Sequence, residues 1–284
     1  MTGSSPIMIA ADRSEETIAG VVGWGKTMGC IASNISVGLV EPANVHRGEV
    51  KGGAAHTVYR TGEVHGNITE WAHEVCRLVS YADSAKVTDN LWGERWSKLV
   101  ANTMANGVSA CTGLPGSQIA QSAAIRIGQA RGYRLEEIDH LPPETIARAG
   151  EGDAAALKAY EERRLSRVGR GSPDQRPSMG QDMAKGRRTE IEYLNDFVVR
   201  DGEQIGIQAR ANERLVDIVK RVARGELKQD PRHSTEPAAK LTPASQTASP
   251  SPPPGAERGS SAALRYTCIP QRFRAGASHG RKRS

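Results

Sequence analysis

The chain has 284 residues, of which 38% are hydrophobic and 4% aromatic, and its formal net charge is +6. This length suits one large domain or two ordinary ones, but the hydrophobic share is below that of a compact domain, so we expect part of the chain to be unfolded. Residues 227–284 hold ten Lys or Arg against three Asp or Glu, and subtracting this +7 from the total leaves −1 for residues 1–226. The basic charge therefore belongs to the tail, which argues against nucleic-acid binding by the folded part.

The N-terminal sequence lacks a basic start followed by an apolar run, which is the pattern of a signal peptide. No apolar run approaches the roughly 20 residues that span a bilayer, so we expect a cytoplasmic protein without a membrane partner. The four cysteines, Cys30, Cys76, Cys111 and Cys268, are widely spaced and form no CxxC pair. We predict reduced thiols and no metal site.

Residues 17–59 are rich in β-branched residues and glycine, which predicts several short strands. Within them Gly20–Thr27, GVVGWGKT, matches the phosphate-loop pattern GxxxxGK[ST] and leaves open a P-loop nucleotide-binding protein that uses Lys26 and Thr27. A true phosphate loop follows a buried strand and opens a helix. Here the preceding residues are too charged for a central strand, and the following ones favour strands over a helix, so this alternative is the weaker one.

The stretch Gly23–Gly29, GWGKTMG, places its third glycine one residue too far for the dinucleotide fingerprint GxGxxG. Only 22 residues precede Gly23, whereas one βαβ unit takes about 30 or more. We therefore expect residues 1–66 to be the remnant of an α/β, Rossmann-like domain whose dinucleotide-binding part is missing.

From Asn67 the hydrophobic period becomes helical, and Asn67 with Glu70 predicts the first helix cap. A long apolar helix follows at Leu91–Ala110. Its one polar stripe is Lys98, Asn102 and Asn106, which lie four residues apart and so share a face. Buried asparagines need hydrogen-bond partners, so these side chains either bond to neighbouring backbone groups, lie on a solvated edge, or bind a substrate.

Ser178–Gly206 predicts a short helix and then a longer one, with Glu190 near the start of the longer helix. A carboxylate there could simply cap the helix, or it could belong to a site. Asn212–Gly225 predicts an amphipathic helix that ends the folded part. Residues 227–284 are rich in Pro, Ser and Ala, which predicts a disordered basic tail.

Two segments resemble the ketopantoate reductase (2-dehydropantoate 2-reductase) family. Arg95–Asn106, RWSKLVANTMAN, is similar to that family's W-x-K-L-x-x-N-x-x-x-N helix, and Pro177–Asn195, PSMGQDMAKGRRTEIEYLN, is similar to its S-M-x-Q-D and R-x-T-E-I-D-Y-x-N-G segment. Together with VVGWGKTM, which resembles a glycine-rich strand of some members, the resemblance covers roughly residues 18–223. Spacing and residue types agree in both motifs, which makes the resemblance specific.

The resemblance implies site residues. Lys98 matches the family's catalytic lysine, a proton donor to the 2-keto acid, and Glu190 matches its catalytic glutamate. Asn102, Asn106 and Ser178 match substrate-binding positions. A carboxylate at Glu190 could bind a substrate hydroxyl or pair with the lysine, and the sequence does not choose between these roles.

The resemblance also implies a fold and a cofactor. We expect a mainly α protein, with an all-helical C-terminal domain of the 6-phosphogluconate-dehydrogenase-like type over residues 67–226, after the few strands of a truncated Rossmann-like domain. The family reduces 2-ketopantoate with NADPH in pantothenate biosynthesis, so we expect NADPH, a small 2-keto acid and a homodimer. Because the GxGxxG pattern is missing, the alternative is a catalytically inactive fragment that acts at most through subunit contacts.

Overall fold

A computed structural model describes residues 7–9, 14–33, 35, 37–47, 57–114, 119, 121–166 and 176–234. The helices are α1 (Ser14–Val22), α2 (Glu70–Ser80), α3 (Leu91–Thr112), α4 (Ser122–Ala130), α5 (Pro143–Gly150), α6 (Ala154–Leu165), α7 (Ser178–Ala184), α8 (Asn195–Glu203) and α9 (Arg210–Ala223). The strands are β1 (Ile7–Ile9), β2 (Met28–Ala32), β3 (Val37–Glu41), β4 (Asn44–Arg47), β5 (Tyr59–Glu63) and β6 (Ala85–Val87). The prediction of a mainly helical protein with a few strands is confirmed.

Four strands form a mixed sheet in the order β1-β2-β5-β6. The β1–β2 and β5–β6 pairs are parallel, and β2 pairs with β5 in the antiparallel direction, with Cys30 opposite Thr61. β3 and β4 form a separate antiparallel hairpin. Because β6 belongs to the same sheet as β1, the α/β part extends to Val87 and passes the expected boundary at residue 66.

Each face of the sheet is covered by a helix. On one face, Met28 and Val87 pack with Ala72 and Val75 of α2. On the other, Leu91 of α3 lies directly over Gly29 and Gly62, where a β-carbon at either glycine would overlap α3 or its N-terminal flank. The start of α3 is thus joined tightly to the sheet because two strand positions have no side chain.

The main hydrophobic core lies around α3, which α4, α7 and α9 contact. Trp96 of α3 is 5% exposed and donates from Nε1 to the Ala124 carbonyl at 2.8 Å. Its ring centroid lies 5.1 Å from that of Tyr133 and 6.0 Å from that of Phe197. The predicted central helix is therefore confirmed, and it is buried over most of its circumference.

Two local predictions are corrected by the structure. Residues 14–22 form helix α1, although strands were expected from residue 17 onward, and the buried ion pair between Glu15 and Arg95 joins this helix to α3. The cap of α2 is Thr69, whose hydroxyl accepts a hydrogen bond from Ala72 N at 3.1 Å, and not Asn67. The N-terminal half of the β-rich segment is therefore partly helical.

The folded part extends beyond residue 226. Gln229 donates from Nε2 to the Ala110 carbonyl at 2.7 Å, and Asp230 donates its backbone N–H to the Cys111 carbonyl at 3.0 Å. A 3-10 turn follows at Pro231–Ser234. These residues satisfy carbonyls of the last turn of α3, so residues 227–234 are ordered and not part of a tail. Residues 235–284 lie outside the described part.

Candidate active site

The polar stripe of α3 runs from the sheet toward α7. Lys98, Asn102 and Asn106 span eight residues, which is about 12 Å along the helix axis. Lys98 and Asn102 are partly exposed, whereas Asn106 is only 4% exposed. The stripe therefore has a buried end at Asn106 and an accessible end at Lys98.

Asn106, Ser178 and Glu190 converge from separate segments. Ser178 Oγ lies 2.9 Å from Glu190 Oε1 and 3.3 Å from Asn106 Oδ1, and Met179 N donates to the same Asn106 oxygen at 3.3 Å. A serine hydroxyl has one proton, and the shorter contact with the carboxylate is the one to which it donates. Because Asn106 Oδ1 is the acceptor for Met179 N, this bond fixes the orientation of the Asn106 side-chain amide.

The hydrogen-bond partner of Asn106, which the sequence alone did not identify, is therefore a backbone N–H group of α7. The first N–H groups of a helix have no intrahelical acceptor, and Asn106 of α3 supplies one for the first turn of α7. Asn102 differs, because its side chain makes no hydrogen bond within the described part of the chain. Of the two stripe asparagines, Asn102 is the one whose amide is available to a ligand.

Glu190 does not cap a helix. α8 begins at Asn195, and Glu190 lies in the irregular segment before the turn at residues 191–194. The capping alternative for Glu190 is wrong. Its carboxylate instead accepts from Ser178, while the side chain remains exposed.

Lys98 lies where the sheet meets the helices. Burial raises the pKa of the Cys30 thiol on β2 to about 11, and the positive charges of Arg95 and Lys98 act on the same thiol in the opposite direction. Arg95 is one helical turn before Lys98 and forms the buried ion pair with Glu15 of α1. Leu91, two turns before Lys98, packs on Gly29 of β2, so Lys98 is at the end of the stripe nearer the sheet and Asn106 is at the end nearer α7.

The glycine-rich stretch does not form a phosphate loop. Gly20 is in the last turn of α1, Trp24–Lys26 form an exposed 3-10 turn, and β2 begins at Met28. The order is helix, loop, strand, which is the reverse of a nucleotide phosphate loop. The P-loop alternative is therefore contradicted, and this stretch does not fit the diphosphate of NADPH either.

Sequence reasoning missed a buried polar group behind the stripe. Gln121, Asn195 and Asn212 are each at most 1% exposed and hydrogen-bond to one another beside α3. Asn195 stood in one of the two motifs, but its partners are distant in sequence. No local pattern indicates that they meet.

Comparison with known proteins gives a family for the helical part. Residues 90–223 match the family model described as ketopantoate reductase PanE/ApbA C terminal. A curated 2-dehydropantoate 2-reductase of Archaeoglobus fulgidus is 26% identical over 179 residues, which cover 60% of this chain and 56% of that protein. The chain thus spans about half the length of this curated relative.

Solved structures share the fold at low sequence identity. A PanE/ApbA family ketopantoate reductase from Ralstonia eutropha JMP134 matches with a TM-score of 0.56 and 20% identity, covering 79% of this chain and 69% of that one. A complex of D-mandelate dehydrogenase with NADH matches with a TM-score of 0.54 and 16% identity, covering 77% of this chain and 70% of that one. Within the described residues no helix is both long and apolar enough to cross a membrane. From α3 to α9, this chain is therefore similar to the C-terminal domain of ketopantoate reductases.

Proposed function

We propose that this chain provides the substrate half of a 2-keto acid reductase site, with 2-ketopantoate or a related 2-keto acid as the ligand. The observation that carries the proposal is the convergence of Asn106, Ser178 and Glu190 at one end of a helix face that also bears Lys98 and Asn102. The resemblance and the name of the curated relative give the substrate class. The NADH-bound D-mandelate dehydrogenase, which shares the fold, is the reason for keeping the class wider than ketopantoate.

The proposed roles follow from the chemistry of each group. An ammonium at Lys98 would bind the ketone oxygen, stabilise negative charge on it and donate a proton. The Asn102 amide, which has no hydrogen bond within the described residues, would bind the carboxylate or a hydroxyl. Ser178 and Glu190 form a donor–acceptor pair that would hold the substrate hydroxyl, with Asn106 fixing the helix on which Ser178 stands.

NADPH is the cofactor implied by the resemblance. When bound, it supplies the hydride. The stretch Gly23–Gly29 does not fit its diphosphate, because an exposed turn here leads into a strand and not into a helix N-terminus. This observation favours a second candidate function, in which the chain binds a 2-keto acid without turning it over.

The test is titration of the full chain with 2-ketopantoate by calorimetry, followed by NADPH oxidation with the same preparation. We expect Lys98→Ala and Glu190→Gln to weaken binding about tenfold or more each, because each removes a charged hydrogen-bonding group. Lys158→Ala and Glu162→Gln are the matched controls, since this lysine and this glutamate pair with each other on α6, away from the stripe, and neither change should alter the affinity.

The outcomes separate the candidates. Binding with NADPH oxidation would support a complete reductase, and binding without oxidation would support the binding-only chain. If 2-ketopantoate and smaller 2-keto acids such as pyruvate all fail to bind, the proposed function is refuted. The homodimer remains part of the proposal, and sedimentation of the full chain tests it.

A further inference from the structure

Three buried amides form a connected group behind the substrate stripe, which we call the amide clasp: Gln121, Asn195 and Asn212. Asn212 Nδ2 donates to Gln121 Oε1 at 2.7 Å, and Asn195 Nδ2 donates to Asn212 Oδ1 at 2.9 Å. All three are at most 1% exposed. Buried amides are costly unless they are paired, so a group of three in an apolar core needs a reason beyond packing.

The clasp is attached to α3 at one carbonyl. Asn195 Nδ2 donates to the Thr103 carbonyl at 3.2 Å, and Gln121 Nε2 reaches the same oxygen at 3.4 Å. Thr103 lies in the helical turn that carries Asn102 and Asn106. Both N–H groups of the Asn195 amide are therefore used, whereas its Oδ1 has no hydrogen-bond partner among the described residues. Asn195 therefore acts at this position as the donor of two hydrogen bonds, one to Thr103 and one to Asn212.

Asn195 also connects to Glu190 through a short and well-anchored turn. Tyr193 N donates to the Glu190 carbonyl at 3.0 Å, and Asp196 N donates to the Ile191 carbonyl at 3.1 Å. Ile191 and Leu194 are each 2% exposed. The four residues between Asn195 and Glu190 are thus held by backbone hydrogen bonds and by packing.

These contacts close a circuit. From the Thr103 carbonyl it runs through Asn195 and the turn to Glu190, and the Glu190 carboxylate accepts from Ser178 Oγ. From the first turn of α7, Met179 N returns to Asn106 on α3, one turn from Thr103. Opening the circuit at Asn195 releases the constraint that the turn places on Glu190, and this lets the first turn of α7 separate from Asn106.

We propose that the amide clasp is a positioning device, in which Asn195 sets the place of Glu190 and Ser178 relative to the Lys98, Asn102 and Asn106 face of α3. The role in substrate binding rests on the proposed function, but the positioning itself does not. It predicts local loosening at α7 when the clasp is broken. A merely structural role predicts loosening of the whole core.

The experiment is amide hydrogen exchange by NMR on the full chain labelled with ¹⁵N-methionine. The chain has six methionines. Met179 reports the contact with Asn106, and Met28, buried in β2, reports global opening. Global unfolding raises both exchange rates equally, whereas local opening raises the Met179 rate alone. The readout is therefore the ratio of the Met179 rate to the Met28 rate.

In Asn195→Ser the shorter side chain no longer reaches the Thr103 carbonyl or Asn212 Oδ1. We expect the ratio of exchange rates to rise about tenfold, which is the change in an equilibrium constant that the loss of a single buried hydrogen bond typically causes. Gln121→Leu leaves the bond from Asn195 to Thr103 in place and should change the ratio less. Ile146→Val, in the core on α5 and away from the circuit, is the control that lowers stability without changing the ratio. An Asn195→Ser ratio equal to that of Ile146→Val would overturn the proposal.

If Asn195→Ser does not fold, Asn212→Ser takes its place, because it removes the second acceptor of Asn195. Because the bond from Asn195 to Thr103 remains, a smaller rise than for Asn195→Ser is expected, and an unchanged ratio refutes the positioning role. Adding 2-ketopantoate to the same samples keeps the two proposals apart. If 2-ketopantoate shifts no methionine signal in the wild-type spectrum, the proposed function is refuted. The ratio of the Met179 and Met28 exchange rates would still test the positioning role of the amide clasp.

Discussion

Replacing Gly128 with alanine would place a methyl group where the indole of Trp96 lies against α4. A β-carbon at Gly128 would overlap Nε1 and Cδ1 of that ring and lie 3.0 Å from Cε2. The ring is held by its hydrogen bond to the Ala124 carbonyl and by Tyr133 and Phe197. The indole must therefore move, and it cannot do so without giving up that bond.

The expected loss in the free energy of unfolding combines three effects. Overpacking a close contact costs about 2 kcal/mol. Losing the buried Nε1 bond costs about 1.5 kcal/mol. Alanine favours the α4 helix over glycine by about 1 kcal/mol. The net expectation is a destabilisation of about 2.5 kcal/mol.

Urea unfolding followed by tryptophan fluorescence measures this effect and its cause. Of the four tryptophans, Trp96 is the most buried at 5% exposed, Trp92 is partly buried, and Trp24 and Trp71 are 51% and 40% exposed, so the measurement is made in a Trp92→Phe background in which Trp96 gives the short-wavelength emission. Gly128→Ala should shift the native emission to longer wavelength as well as lower the midpoint. Gly20→Ala on α1, where a β-carbon meets nothing within 4 Å, should do neither. A Gly128→Ala protein with native emission and unchanged stability would refute the packing described for α3 and α4.

Two further predictions concern other parts of the fold. Burial raises the pKa of Cys30 from 9.0 to about 11, so between these pH values the folded state retains a proton that the unfolded state releases. The free energy of unfolding should therefore fall as the pH rises from about 9 to about 11. Urea titrations should show this fall in the wild type and a smaller one in Cys30→Ala. A chain that ends at Leu227 should be less stable by about 2 kcal/mol than one that ends at Ser234, because it lacks the bonds from Gln229 and Asp230 to α3, and equal urea midpoints would contradict this.

Elements that follow from a local hydrophobic period were predictable from the sequence, whereas elements that depend on contacts between distant residues were not. α3 was predictable because its apolar residues recur at helical spacing over many turns. α1 was not, since Ile18, Val21 and Val22 favour strands locally, whereas the buried pair of Glu15 with Arg95 depends on a partner 80 residues away.

The candidate site divides in the same way. The stripe of Lys98, Asn102 and Asn106 follows from helical spacing alone. The partner of Ser178 does not, because the serine and Glu190 meet only when α7 and the turn before α8 pack on α3. That Asn106 accepts from α7, whereas Asn102 has no partner among the described residues, is likewise a property of tertiary packing.

The wrapping of α3 by later segments has a consequence for synthesis of the chain. α3 ends at Thr112, but the helix that covers its far side, α9, ends at Ala223, and the residues that close its last turn end at Ser234. At about 5–20 residues per second, a ribosome needs roughly 6–24 seconds to make the intervening chain. During that interval Met104 and Val108 have no completed core to enter, so the nascent chain exposes the apolar face of its longest described helix for seconds before the covering segments exist.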